Sequence, residues 1–147
     1  MKLERYELAT TDSLMSFEFI SSGPKGQICK IIHFDETDIE YLFNLSFGDI
    51  NPLTNELDDF VISNNGDRDK ILATIVTSVD IFTLNYPDAY IYAEGSTKSR
   101  TRLYRMGITK YLAEIQAEFI ILGRKGNELE EFVVGTDYDA FIVKRKI

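Results

Sequence analysis

Cysteine and histidine are almost absent from this 147-residue chain, in which Cys29 and His33 are the only residues of their kinds. A single thiol excludes an internal disulfide and is typical of a protein from a reducing compartment. So few soft ligands also argue against a zinc site. We therefore expect neither a bound metal nor another cofactor.

Long apolar segments are also lacking. No uninterrupted apolar run approaches the ~20 residues that a transmembrane helix needs, and the N-terminal MKLERYELATT lacks the apolar core of a signal peptide. These two absences predict a cytoplasmic protein with no membrane partner.

Basic residues are in the minority, since 16 lysines and arginines stand against 24 carboxylates and the formal net charge is -8. The resulting pI near 4.7 excludes a general coating of DNA, which needs a basic surface. A local basic patch that binds a nucleotide or a nucleic-acid end remains compatible with this balance. Apolar residues make up 44% of the chain, an ordinary value for a globular protein, and the length predicts one domain over residues 1–147.

The order of elements predicts the fold. Alternating apolar residues indicate strands at 15–19, 28–34, 39–47 and 57–63, with the first two forming a hairpin. A helix over 67–86, a short strand at 89–93 and a second helix from about 96 to 119 follow, and further strands are expected at 120–123, weakly around 132–134, and at 140–143.

This pattern, ββββαβαββ with one further short strand, predicts an α+β fold in which two long helices pack on one face of a mostly antiparallel, curved sheet. The fourth strand, the first helix and the fifth strand would form a right-handed crossover if the two strands pair in parallel.

The second helix begins with an unusual charge. From Gly95 to Ala113 the chain has five basic residues and no carboxylate, which leaves -13 on the remainder. A helix amino terminus has unpaired N–H groups and a dipole that favours negative charge, so cations there oppose the local preference. A bound phosphate or carboxylate would remove the conflict.

Helical spacing separates these cations. The apolar stripe of Tyr104, Ile108, Tyr111, Ile115 and Phe119 extends back by one turn to Arg100, which we expect to point toward the protein. Lys98, Arg102 and Arg105 fall on another face, as the rim of a site. The predicted ligand-binding residues are Ser96, Thr97, Lys98, Arg100, Arg102 and Arg105.

The same cations have structural interpretations as well. Ion pairs with carboxylates in other parts of this acidic protein explain Arg102 and Arg105 about as well as ligand binding does. Arg100 has a structural alternative in an ion pair with Asp58, Asp59 or Glu94.

Other chemistry is weakly indicated. His33 fits a structural histidine better than a catalytic base, and Cys29, on the same strand face, fits a buried cysteine better than half of a nucleophile pair. The Asp residues of the loops lack metal-loop spacing. Gly95-Ser96-Thr97-Lys98 lacks the spaced glycines and the ending of a P-loop.

The stretches FEFISSGPKG, FNLSFGDI, VISNNGDRDKILATIV and AEGSTKSRTRLYRMGITKYL resemble, over nearly the whole chain, a family of small Bacteroidota proteins classed as a domain of unknown function. The resemblance implies a bacterial cytosolic protein and no particular reaction.

Three hypotheses follow. The first is a module that binds a phosphate-bearing ligand, either a nucleotide or a nucleic-acid end. The size of the protein and the type of family further suggest a place in a defence or toxin and antitoxin system. The second is a small transferase or nuclease in which Arg100 stabilises a phosphate. The third is a module that binds an acidic protein partner.

Overall fold

The computed structural model describes residues 3–58 and 65–147. These residues form nine strands and three helices in the chain order β1 (Ala9–Thr10), β2 (Ser16–Gly23), β3 (Gly26–Glu36), β4 (Leu42–Ile50), β5 (Leu57–Asp58), α1 (Arg68–Asn85), β6 (Tyr90–Ala93), α2 (Lys98–Lys110), α3 (Leu112–Glu118), β7 (Phe119–Lys125), β8 (Glu128–Glu131) and β9 (Ala140–Arg145). The strands form one sheet in the order β1-β2-β3-β4-β6-β9-β7-β8, with β5 paired to β4.

One parallel pair lies in the middle of this otherwise antiparallel sheet. β4 runs parallel to β6, with Leu42 opposite Tyr90 and Leu45 opposite Ala93. The predicted crossover between the fourth and fifth strands is therefore wrong, because β5 pairs antiparallel with β4 and the parallel partner of β6 is the third predicted strand. Residues 59–63 of the predicted fourth strand lie outside the described residues.

Alternation along the strands places the core on one face of the sheet. Phe43, Leu45 and Phe47 of β4 are buried, in agreement with the apolar alternation over 39–47, whereas the residues between them are partly exposed on the other face. On the covered face Phe82 of α1 stacks on Phe34, with 4.3 Å between ring centroids. The predicted α+β architecture, with helices on one face of a mostly antiparallel sheet, is confirmed.

The second helix is interrupted, contrary to the prediction of one continuous element. α2 ends at Lys110 and α3 begins at Leu112, because Tyr111 leaves helical geometry at φ -108° and ψ 26°. The Tyr111 hydroxyl donates to the carbonyl oxygen of Asp69, which joins this bend to the start of α1. Ile115 nevertheless remains buried, so the predicted apolar stripe continues across the bend.

The C-terminal hairpin also differs from prediction. The strand after β7 is Glu128–Glu131 rather than 132–134, and all four of its residues are exposed at the edge of the sheet. Gly126, at φ 58°, forms the turn between Lys125 and Glu128. Within the described ranges, none of the helices has the length and hydropathy required to cross a bilayer.

Candidate functional site

A cavity of about 200 Å³ opens where β6 ends and β4 continues. Since β6 pairs with β4 only as far as Ala93, the next residues of β4 face the loop that leads into α2. The lining comes from β4 on one side and from residues 92–104 on the other: Asn44, Ser46 and Phe47, and then Tyr92, Glu94, Gly95, Ser96, Arg100 and Tyr104.

Arg100 is the main charged group of this cavity and is only 1% exposed. None of its three guanidinium nitrogens has a hydrogen-bond partner among the described residues. Its Cζ lies 5.4 Å from the centroid of the Phe47 ring, within reach of a cation–π interaction. A ring face compensates only in part for the water that a buried cation has lost.

The start of α2 holds Arg100 in place. Thr97, in an extended conformation, is the N-cap, and its hydroxyl accepts a hydrogen bond from the Arg100 N–H at 3.2 Å. Behind it, the Gly95 N–H donates to Thr101 Oγ1 at 2.9 Å. A Cβ on Gly95 would stand 2.4 Å from the Arg100 Cβ and 2.5 Å from the Thr101 nitrogen, so only glycine allows this approach.

Two of the six predicted ligand-binding residues meet in the cavity, namely Ser96 and Arg100. The Thr97 hydroxyl is engaged in the cap. Lys98 and Arg102 are exposed and do not line the cavity.

Arg105 is also directed away from the cavity. It donates to the carbonyl oxygen of Thr136 at 3.4 Å and lies 3.6 Å from the Asp137 carboxylate. Arg105 therefore forms the kind of structural ion pair that was the alternative to ligand binding in the sequence analysis.

The structural alternative for Arg100 required a carboxylate. Glu94 is committed elsewhere, because it accepts hydrogen bonds from the Tyr92 hydroxyl and from Arg124 Nη2, the latter at 3.2 Å. Burial, followed by the hydrogen bond to Glu94, raises the pKa of the Tyr92 hydroxyl above its ordinary value. The other two predicted carboxylates, the Asp58 side chain and Asp59, lie outside the described residues.

The profile of a family of unknown function (DUF6934) matches residues 2–146. The chain belongs to this family. A search of curated proteins and a search of solved structures each returned no match.

In this DUF6934 chain, the cavity also contains residues that the sequence did not assign to a site, among them Asn44, Ser46, Phe47 and Tyr104. Asn44 and Ser46 lie on the polar face of β4, where Asn44 Nδ2 donates to Ser46 Oγ at 3.2 Å. Nothing in the sequence linked that face to Arg100, because the link depends on the pairing of β4 with β6.

His33 and Cys29 lie on the open face of the sheet. His33 Nδ1 is hydrogen-bonded to Ser16 Oγ at 2.7 Å, as expected for a structural histidine, and the ring does not line the cavity. Cys29 is exposed rather than buried. Cys29 and His33 are four positions apart on an extended strand, which places them about 13 Å from each other, too far for a nucleophile pair.

A wider cleft of about 860 Å³ lies on the other side of Phe47, between β4, α1 and α2. Its walls carry charges of both signs, and several of them are paired: Lys30 with Asp49, and Lys110 with Asp69 at 3.2 Å. In the parts of the chain that the structure describes, no group of three or more metal-ligating side chains could hold an ion. The smaller cavity at Arg100 is therefore the candidate site.

Proposed function

We propose that this DUF6934 protein binds a phosphate-bearing ligand in the cavity at Arg100. The observation that carries the proposal is the buried guanidinium, which lacks a hydrogen-bond partner among the described residues. Arginine stays charged at any physiological pH and presents five N–H donors, so burial without an acceptor costs several kcal/mol. A phosphate group would supply the missing charge and the missing acceptors.

The surroundings of Arg100 favour an anion as well. Gly95 and Ser96 line the cavity just before α2, at the positive end of the helix dipole, and the first turn of α2 contains no acidic residue. The cavity also lies at the carboxyl end of β6 beside a parallel strand, a frequent position for phosphate groups in folds with parallel strands.

Binding is better supported than catalysis. The carboxylate that lines the cavity among the described residues is Glu94, which is held by Tyr92 and Arg124, and His33 lies outside the lining. A transferase or nuclease would need a free acid or base beside the ligand.

The protein-partner alternative is supported by Lys98 and Arg102, two exposed cations on α2 that do not line the cavity. An acidic segment docked there should dissociate steeply with salt. A ligand in the Arg100 cavity should respond weakly to salt, because its partner charge is buried.

The proposal also covers the location and the biological system of the protein. The resemblance to Bacteroidota proteins favours a bacterial cytoplasmic protein, and the type of family suits an accessory component of a defence or toxin and antitoxin system. Expression from the native locus followed by cell fractionation would test the location.

Thermal melts with inorganic phosphate test the binding proposal. At a phosphate concentration 100 times the Kd, binding adds about 2.7 kcal/mol of stability, or roughly 5–10 °C for a chain of this size. We expect this shift in the parent protein and in Arg102→Gln, and its loss in Arg100→Gln. Since phosphate also stabilises proteins by exclusion from their surfaces, an equal shift in Arg100→Gln, or none in the parent, would refute the proposal.

A further inference from the structure

We infer that the ligand carries a terminal phosphomonoester, which enters the cavity, and that an internal phosphodiester of a nucleic-acid chain is excluded. This inference rests on the proposed function. It specifies how the phosphate is attached to the rest of the ligand.

The lining residues of the cavity differ in depth. Arg100 and Phe47 are each 1% exposed and Tyr104 is 6% exposed, whereas Glu94 and Ser96 are exposed to solvent. The guanidinium therefore lies at the inner end and the loop before α2 lies at the opening. A phosphodiester within a nucleic-acid chain has a substituent on each side of phosphorus, and both must lead away from the buried guanidinium, whereas a monoester has only one such substituent.

The donors at the inner end also fit a monoester. Three guanidinium nitrogens are without partners among the described residues, and they can donate to several oxygens at once. A terminal phosphate offers three such oxygens and a charge of about -1.5 to -2 at pH 7. An internal diester offers two free oxygens and a single charge.

The size of the cavity limits what enters it. At about 200 Å³ it is smaller than the roughly 300–1,000 Å³ of pockets that enclose a whole drug-sized ligand. The phosphate would be enclosed, and the remainder of the ligand would extend past the mouth.

The charges around the mouth disfavour a polyanion. A protein that follows a phosphate backbone uses several cations, each of which neutralises one phosphate. Lys98 and Arg102 do not line this cavity, and Arg105 is paired with Asp137. Arg124, the cation beside the mouth, is paired with Glu94 at 3.2 Å, so this pair offers no free positive charge to a second phosphate.

Calorimetric titration with matched probes tests the inference. The probes are inorganic phosphate, adenosine 5′-monophosphate, its 3′,5′-cyclic diester, and one short single-stranded oligonucleotide with either a 5′-phosphate or a 5′-hydroxyl. The parent protein, Arg100→Gln and the control Arg102→Gln are each titrated with all five.

We expect adenosine monophosphate to bind, and the cyclic diester, which has two free oxygens and a single charge, not to bind. A 5′-phosphate should strengthen oligonucleotide binding by at least about tenfold if a chain end is accepted, since even one added hydrogen bond to a charged group has an effect of about this size. If adenosine monophosphate binds and neither oligonucleotide does, the ligand is a small molecule with a terminal phosphate, and the inference holds for that class of ligand. All of this binding should be lost in Arg100→Gln and retained in Arg102→Gln.

Other results would overturn the inference. Arg100-dependent binding of the cyclic diester, or of both oligonucleotides equally, would show a diester site, and the proposed function would still stand. Binding of inorganic phosphate without either monoester would show a site for the free anion. If no probe binds, inorganic phosphate included, the proposed function itself fails.

Discussion

Replacing Arg100 by methionine should stabilise the protein in phosphate-free buffer. The substitution keeps the unbranched apolar stem and removes a charge that is 1% exposed and unpartnered among the described residues. Removing buried charges in favour of apolar groups of similar volume stabilises other proteins by about 1–4 kcal/mol. The lost contact with the Phe47 ring, worth about 0.5–2 kcal/mol, opposes this gain.

Taking the middle of each range leaves a net gain of about 1 kcal/mol. For 147 residues this corresponds to a rise of roughly 2–5 °C in melting temperature. Thermal and urea denaturation in a buffer without phosphate or sulfate would measure it. Arg102→Met is the matched control, because Arg102 lies on the same helix but is exposed, and its melting temperature should hardly change.

A loss of stability would refute this reasoning. If a carboxylate faces Arg100, the substitution leaves that carboxylate buried and unpaired, and the protein should lose about 3–5 kcal/mol. Asp58 and Asp59, whose side chains are not described, would then be the first candidates for the partner. The proposed site would lose its central observation.

Three further predictions concern the scaffold. Ile75→Ala and Ile115→Ala should each lower the free energy of unfolding by about 2–5 kcal/mol, because both side chains line one apolar cavity of about 70 Å³ and truncation enlarges it. Unchanged midpoints in urea denaturation would show that the helices do not pack there. Asp80→Asn should lower the free energy of unfolding by about 3 kcal/mol, because it removes the carboxylate that pairs with the largely buried Arg145. Unchanged stability would mean that Glu118 is a sufficient partner for Arg145. Burial raises the pKa of the Tyr92 hydroxyl, so above pH 10 the unfolded chain releases this proton before the folded protein does. The stability that Tyr92 contributes is therefore complete below pH 10 and is lost as the pH rises further. Tyr92→Phe should weaken this alkaline loss in denaturation curves, and an identical decline in both proteins would contradict the assignment.

Local periodicity explains which features could be predicted from the sequence. The depth of Arg100 followed from its position four residues before Tyr104 on a helical stripe, and the inward direction of Phe43, Leu45 and Phe47 followed from alternation. Both inferences need only neighbours along the chain.

The features that were missed depend on distant contacts or on small backbone changes. The pairing of Asn44 with Tyr92 joins residues that α1 separates, so no local pattern could place Asn44 beside Arg100. Arg105 meets Asp137 only because residues 136 and 137 lie against α2. The bend at Tyr111 leaves the apolar stripe intact, and periodicity therefore could not detect it.

The parallel pair at the middle of the sheet has a consequence for exchange of amide hydrogens. Strands β1–β5 come from the first part of the chain and β6–β9 from the second, and within the described sheet the two groups meet only along β4 and β6. The Arg100 cavity takes its walls from both groups. A ligand in the cavity would contact both groups of strands and so oppose their separation. It should therefore slow deuterium uptake at residues 42–45 and 90–93 more than at the outer strands, because local opening of the outer strands leaves the cavity intact.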